Sequence, residues 1–120
     1  MLTVSLMTTG YNMTRGELYW VDLDPTQGSE ANKRRPCVIV SNDANNRVGS
    51  TVTVVPVTSN VSKVFPFEVE LEGVLSRPSK AQANQVRTVS KERFLGSATA
   101  RLDGEQLRML DDALRLHLGL

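Results

Sequence analysis

The chain changes its hydrophobic period once, close to its C-terminus. Leu107, Leu110, Leu114 and Leu118 lie on one helical face with Met109, Ala113 and Leu116 beside them, while Arg108, Asp111, Asp112 and Arg115 share the opposite face. Asp103 followed by Gln106 has the spacing of a capping box, and Gly119 suits a C-cap. Before residue 101 the apolar residues come in short β-favouring runs divided by turn chemistry. One amphipathic helix must bury its stripe against something, and only strands remain. The expected fold is mainly β with α: a small, strongly curved antiparallel sheet or barrel with the helix packed across it.

The strands can be placed in order. Glu17 to Leu23 mixes aromatic and apolar positions with acidic ones and ends at Asp24-Pro25. Thr26 to Arg35 is polar, contains Gly28 and ends in three basic residues before Pro36, so it is a long loop. Cys37-Val38-Ile39-Val40 is a continuous apolar run expected to be buried on both sides. Asp43 to Gly49 is turn chemistry, and Thr51 to Val57 resumes as a β-branched strand, giving a hairpin. Phe65 to Leu71 alternates with period two, with Pro66 placing its start at an edge. Shorter strands are expected near Ser79–Ala83 and Gly96–Ala100.

The 120 residues suit one domain, and 40% hydrophobic with 22% charged is the balance of a globular chain with one core. Residues 1–13 read as a disordered tail or a mis-called start, because Met13-Thr14-Arg15-Gly16 offers a second start before the first strand. The domain is then 14–120. One cysteine permits no internal disulfide, and one cysteine plus one histidine cannot supply a structural zinc site. No cofactor or metal is expected. The sequence has no apolar run near the roughly 20 residues of a membrane span, and its start lacks the pattern of a signal peptide. A cytoplasmic protein without membrane contact is the expectation.

Net charge is +1, but residues 33–101 hold 11 Lys/Arg against 5 Asp/Glu, a net of +6, and the remainder holds 3 against 8, a net of −5. A basic middle with acidic ends can make a local positive field, or the charges can be scattered over opposite faces and cancel. Cys37, followed by Val-Ile-Val, reads as a small core hydrophobe rather than a nucleophile. His117 among the helix leucines reads as an ordinary helix-end histidine. Asp22 and Asp24 lack a third ligand for a cation. The loop from Gly28 to Pro36 is different: it sets a carboxylate and three cations beside a buried strand, the parts needed to hold a phosphodiester. Val57-Thr58-Ser59-Asn60 and Gln85-Val86-Arg87-Thr88 are two further polar segments, each weak alone.

Arg15-Gly-Glu-Leu-Tyr-Trp-Val-Asp-Leu-Asp-Pro, Gly28-Ser-Glu, Arg35-Pro, Ser41-Asn-Asp, Pro56-Val-Thr-Ser-Asn and Gln85-Val-Arg-Thr together resemble, in order, the MazF/PemK family of toxin endoribonucleases. The resemblance runs from about Thr14 to Leu120. It implies an SH3-like barrel of the CcdB/MazF type with a C-terminal helix, a homodimer, sequence-specific cleavage of single-stranded RNA, and neutralisation by a cognate MazE-like antitoxin. By motif, Arg35 and Thr58 match the family's catalytic positions, and Glu30 its acidic residue. Gln85 and Arg87 match positions near the RNA path, and Ser29, Lys33, Arg34, Ser59 and Asn60 are the further RNA-binding candidates; the Asn32–Arg34 stretch is variable in the family. RNA carries its own nucleophile, the 2′-hydroxyl, so no metal-activated water is required, and the products would be a 2′,3′-cyclic phosphate and a 5′-hydroxyl. A non-catalytic CcdB-like barrel that binds gyrase, or an RNA-binding module without cleavage, is the alternative.

Overall fold

The computed structural model describes residues 13–120. Seven strands form one antiparallel sheet: β1 (Glu17–Asp22), β2 (Arg34–Ile39), β3 (Thr51–Thr58), β4 (Glu68–Glu70), β5 (Lys80–Gln82), β6 (Arg87–Ser90) and β7 (Phe94–Arg101). They run β4-β5-β3-β2-β1-β7, with β6 also on β3. The long β3 organises this curl. Its first half pairs with β6 (Thr51↔Ser90 to Val54↔Arg87) and its last residues with β5 (Val57↔Ala81, Thr58↔Lys80). Along its other side Val54 to Pro56 pair with β2.

Bending of the sheet explains why β2 has a continuous apolar run. Cys37, Val38 and Ile39 are all fully buried, on two faces. Leu18, Val38, Val55 and Val57 join Leu110 and Ala113 in one cluster, between the sheet and the C-terminal helix α2 (Gly104–Leu118). Tyr19, Val21, Cys37, Ile39, Val52 and Val54 form a second, with Val89 from β6 and Met13, and Phe94 meets Tyr19 edge-on at 5.3 Å. Alternation along each strand thus feeds two cores. Met13 is 4% exposed, so the core takes a residue from the stretch expected to be a tail; the rest of that expectation, residues 1–12, lies outside the described residues.

Helix α2 begins as its sequence dictates. Asp103 accepts the Gln106 N–H at 2.8 Å, Gln106 reciprocates, and Gly119 closes the helix at φ 73. Its stripe buries Leu110 and Ala113 and partly Leu107 and Leu114, but Leu118 stays 54% exposed because the last turn adds no residue to the buried cluster. An Arg15–Asp111 ion pair ties the helix to the chain just ahead of β1.

Two other expectations change, and one polar segment gains a place in the sheet. Asp43–Val48 is a short helix, α1, rather than a turn: Asn42 caps the Asn45 N–H at 2.8 Å, and buried Asn46 donates to the Ser41 carbonyl while its own carbonyl accepts Lys91 Nζ. The strand expected over Phe65–Leu71 shrinks to Glu68–Glu70, and its alternation fails at Glu68, which is buried in an ion pair with Lys80 at 2.9 Å. The second half of the Gln85–Thr88 polar segment enters strand β6, Arg87–Ser90.

Candidate active site

A cleft of about 500 Å³ opens where β1, β2, β3 and β7 meet the β4–β5 loop. Arg34, Arg35 and Pro36 reach it from β2, Val57, Thr58 and Ser59 from the end of β3, Trp20 from β1 and Thr99 from β7; residues 74–77 and Ser79 supply the facing wall. Among the described residues its polar side chains are three guanidiniums, five hydroxyls and the indole N–H, with no carboxylate and no imidazole. Such a surface attracts a polyanion.

Local bonds decide what each group has left to offer. Arg35, half-buried, donates its Nε to the Asn32 carbonyl at 2.9 Å, which aims the guanidinium and leaves both terminal nitrogens uncommitted among the described residues. That fork matches two oxygens of one phosphate. Thr58 accepts the Asn60 N–H at 3.2 Å, so the turn after β3 orients its hydroxyl, whose proton remains available. Beneath them Cys37 is fully buried and its thiol is pushed up to about 12, by burial first, against the lowering pull of Arg87 and Arg35. A neutral, enclosed thiol is a packing group.

Arg34, Arg35, Thr58 and Ser59 are brought together in the cleft; Ser29, Glu30, Lys33, Asn60, Gln85 and Arg87 do not line it. Several of these shape the loop between β1 and β2. The Gln85 amide accepts the Ala31 N–H at 2.9 Å and donates to the Ser29 carbonyl at 3.2 Å. Glu30 accepts the Gln27 N–H at 2.7 Å, closing a tight turn. Arg87 donates to the Leu23 carbonyl at 3.1 Å, and Lys33 takes a left-handed backbone at φ 65 with its N–H on Asp24. Asp22 and Asp24 belong to no group of three metal-binding side chains among the described residues. His117 is exposed on α2, away from the cleft. Sequence reasoning missed Trp20 and Arg77 as members of the cleft. Trp20 stood inside a strand motif, and Arg77 in a Ser-Arg-Pro-Ser stretch with no motif to mark it.

A sheet curled in this way, with a cationic cleft and one terminal helix, defines a class: the chain belongs to the PemK-like, MazF-like toxin family of type II toxin-antitoxin systems, matching over residues 14–118. Among individual relatives it is 50% identical over 116 residues to the Endoribonuclease MazF9 of Mycobacterium tuberculosis, covering 90% of this chain and 98% of that one. The MazF structure from Deinococcus radiodurans superposes with a TM-score of 0.81 at 29% identity, covering 90% of this chain and 97% of the other. A mycobacterial endoribonuclease solved with its cognate antitoxin gives 0.75 at 25%, over 90% and 96%. The architecture is therefore the MazF fold.

Proposed function

We propose that the Arg35–Thr58 cleft is the catalytic centre of this MazF-type toxin endoribonuclease, cutting single-stranded RNA by attack of a 2′-hydroxyl on the adjacent phosphorus. The observation that carries this is the meeting of a pre-aimed guanidinium and an oriented hydroxyl in a cleft lined, among the described residues, by no negative charge. As the phosphorane forms, Arg35 donates to its two non-bridging oxygens and Thr58 adds a neutral hydrogen bond. The 2′-hydroxyl oxygen bonds to phosphorus and the P–O5′ bond breaks, leaving a 2′,3′-cyclic phosphate and an oxygen that is protonated to a 5′-hydroxyl. A guanidinium, with a pKa above about 12, is no base at neutral pH. Glu30 is proposed to take the proton through water; it sits on the loop that Asn32 and Arg35 anchor beside the cleft. Ser29, Lys33, Arg34, Ser59, Asn60, Gln85 and Arg87 are proposed to hold the RNA or the loop that meets it.

The same reading makes the protein cytoplasmic, a two-fold homodimer, and neutralised by a MazE-like antitoxin whose acidic segment competes for the cationic cleft. No helix among the described residues is long and apolar enough to cross a membrane. The test uses an RNA carrying one 2′-deoxy sugar immediately 5′ of the cut. Binding without cleavage is the expected result, and cleavage at the normal bond would overturn the mechanism.

A further inference from the structure

Most cations near the sheet are already engaged. Arg15 pairs with Asp111, Arg93 donates to the Asp22 and Asp24 carbonyls, Arg101 bonds Thr14, and Lys80 and Lys91 are held by Glu68 and the Asn46 carbonyl. Arg77 is different. It lines the cleft and also the rim of a smaller hollow that Glu70 and Glu72 share, and among the described residues its guanidinium has no hydrogen-bond or ion-pair partner. Its backbone is nevertheless fixed: the Ser79 hydroxyl donates to the Arg77 carbonyl at 2.7 Å, and the Ser79 carbonyl accepts the Leu71 N–H at 2.9 Å. A held stem with a free head is what a phosphate contact requires.

Trp20 lines the same cleft. It lies on β1 between fully buried Val21 and nearly buried Tyr19, yet is 44% exposed. Its partners in the sheet are Pro36, next to Arg35, and Leu95 on β7. Neither has a charge to compete for an indole face, and every nucleobase has a π-surface that can stack there.

We propose that Arg77 and Trp20 form a nucleotide subsite beside the Arg35–Thr58 centre, Arg77 holding the phosphate of a neighbouring nucleotide and Trp20 stacking a base. This rests on the reading of the cleft as the RNA-cleaving site. It concerns how the strand is positioned, separately from bond breaking.

The test uses the full chain with the RNA deoxy-substituted at the cut, so that binding is read without cleavage. Trp20 is the only tryptophan, so its fluorescence reports this subsite alone. RNA should quench it, and scanning one abasic nucleotide along the strand should find a position that abolishes the quench. Trp20→Ala should bind about tenfold weaker while Trp20→Phe retains most of the affinity. Arg77→Gln should lower the slope of log K against log salt concentration by about 0.7, the share of one single-strand phosphate. Its loss should fall on affinity far more than on single-turnover rate at saturating all-ribose RNA. An unchanged salt slope in Arg77→Gln, or fluorescence indifferent to RNA, overturns the subsite. So does fluorescence that shifts on dilution without RNA and ignores RNA, which assigns Trp20 to an interface between copies. If Arg35→Ala keeps full activity, the catalytic reading fails instead, whatever these binding arms return.

Discussion

Replacing Lys80 with methionine removes one half of an ion pair that is almost sealed from water. The Lys80 and Glu68 side chains are 7% and 4% exposed, and Nζ sits 2.9 Å from Oε1. Removing one partner of such a pair typically costs about 3–5 kcal/mol, because the other charge stays buried without compensation. Glu68 keeps the Phe65 N–H at 3.0 Å and a weak contact from Gln82 at 3.5 Å, which argues for the lower end, about 3 kcal/mol. For a chain of this length that is a drop in Tm of roughly 10–15 °C. Urea unfolding of wild type, Lys80→Met, Glu68→Gln and the double variant would isolate the coupling, and the double variant should recover most of the loss. The pH arm is sharper. Burial pushes the Glu68 carboxyl up, but the Lys80 hydrogen bond, the Phe65 N–H, the Lys80 charge and Gln82 outweigh it and hold the group below its ordinary value. The stability this supplies is present above the ordinary carboxylate range and is lost as pH falls through the native pKa. In Lys80→Met only burial and the weaker bonds remain, the carboxyl protonates more readily, and the gap to wild type should narrow from pH 7 to pH 4. A cost below about 1 kcal/mol at pH 7, as for an exposed pair, or a gap that widens on acidification, would refute the reasoning. Activity should fall as well, because Lys80 pairs with Thr58 across the sheet and its ammonium holds the Lys63 carbonyl in the loop that leaves the cleft.

Arg35→Ala should slow single-turnover cleavage by about 10²–10³-fold or more, with RNA affinity changed far less, and Thr58→Ala should follow more mildly; stopped-time gels on end-labelled RNA measure both. Cys37→Ser and His117→Ala should leave the cleavage chemistry running in the same assay, since one side chain is enclosed in the core and the other lies outside the cleft. The raised Cys37 thiol gives an alkaline signature. Its contribution is complete below its ordinary value of 9.0 and is lost as pH rises toward about 12, on the order of 1.4 kcal/mol per unit, so Cys37→Ser should flatten the fall in Tm between pH 9 and 11. Asp103→Ala removes the cap of α2 and should cost about 1 kcal/mol in urea unfolding without changing the m-value.

What the sequence disclosed follows how local each feature is. The helix and its caps were legible because Asp103, Gln106 and Gly119 act within one or two turns of themselves. The double burial of Cys37 to Ile39 was legible because no polar residue interrupts it. The Asn42–Gly49 segment was not, since asparagine and aspartate serve turns and helix caps equally; Lys91, brought in by the fold from 45 residues away, holds the Asn46 carbonyl of the helix. Glu68 defeated its alternation for the same reason, because its partner lies on another strand. Residue chemistry marked the segments that hold Arg35 and Thr58, but only motif resemblance picked out these two residues within them. That two strand ends place them in one cleft is a consequence of register: β2 and β3 pair at Cys37↔Pro56, with Arg35 two residues before Cys37 and Thr58 two residues after Pro56.

The basic middle of the chain offered two possibilities, a local positive field or cancelling charges, and a count of residues cannot separate them. The fold does so by choosing which cations to use internally. Lys80, Lys91, Arg93 and Arg101 are bound to carboxylate, carbonyl or hydroxyl oxygens, and Arg87 is anchored to Leu23. Arg34, Arg35 and Arg77 are gathered around one cleft, while Glu70 and Glu72 line the next hollow, whose rim Arg77 shares. A positive site on a nearly neutral protein therefore arises from where carboxylates are withheld rather than from an excess of arginine. An aspartate placed at Ser76 would test that arrangement in one step. It should weaken RNA binding most at low salt, where an added charge in the cleft is least screened, and leave the fold intact because Ser76 is exposed.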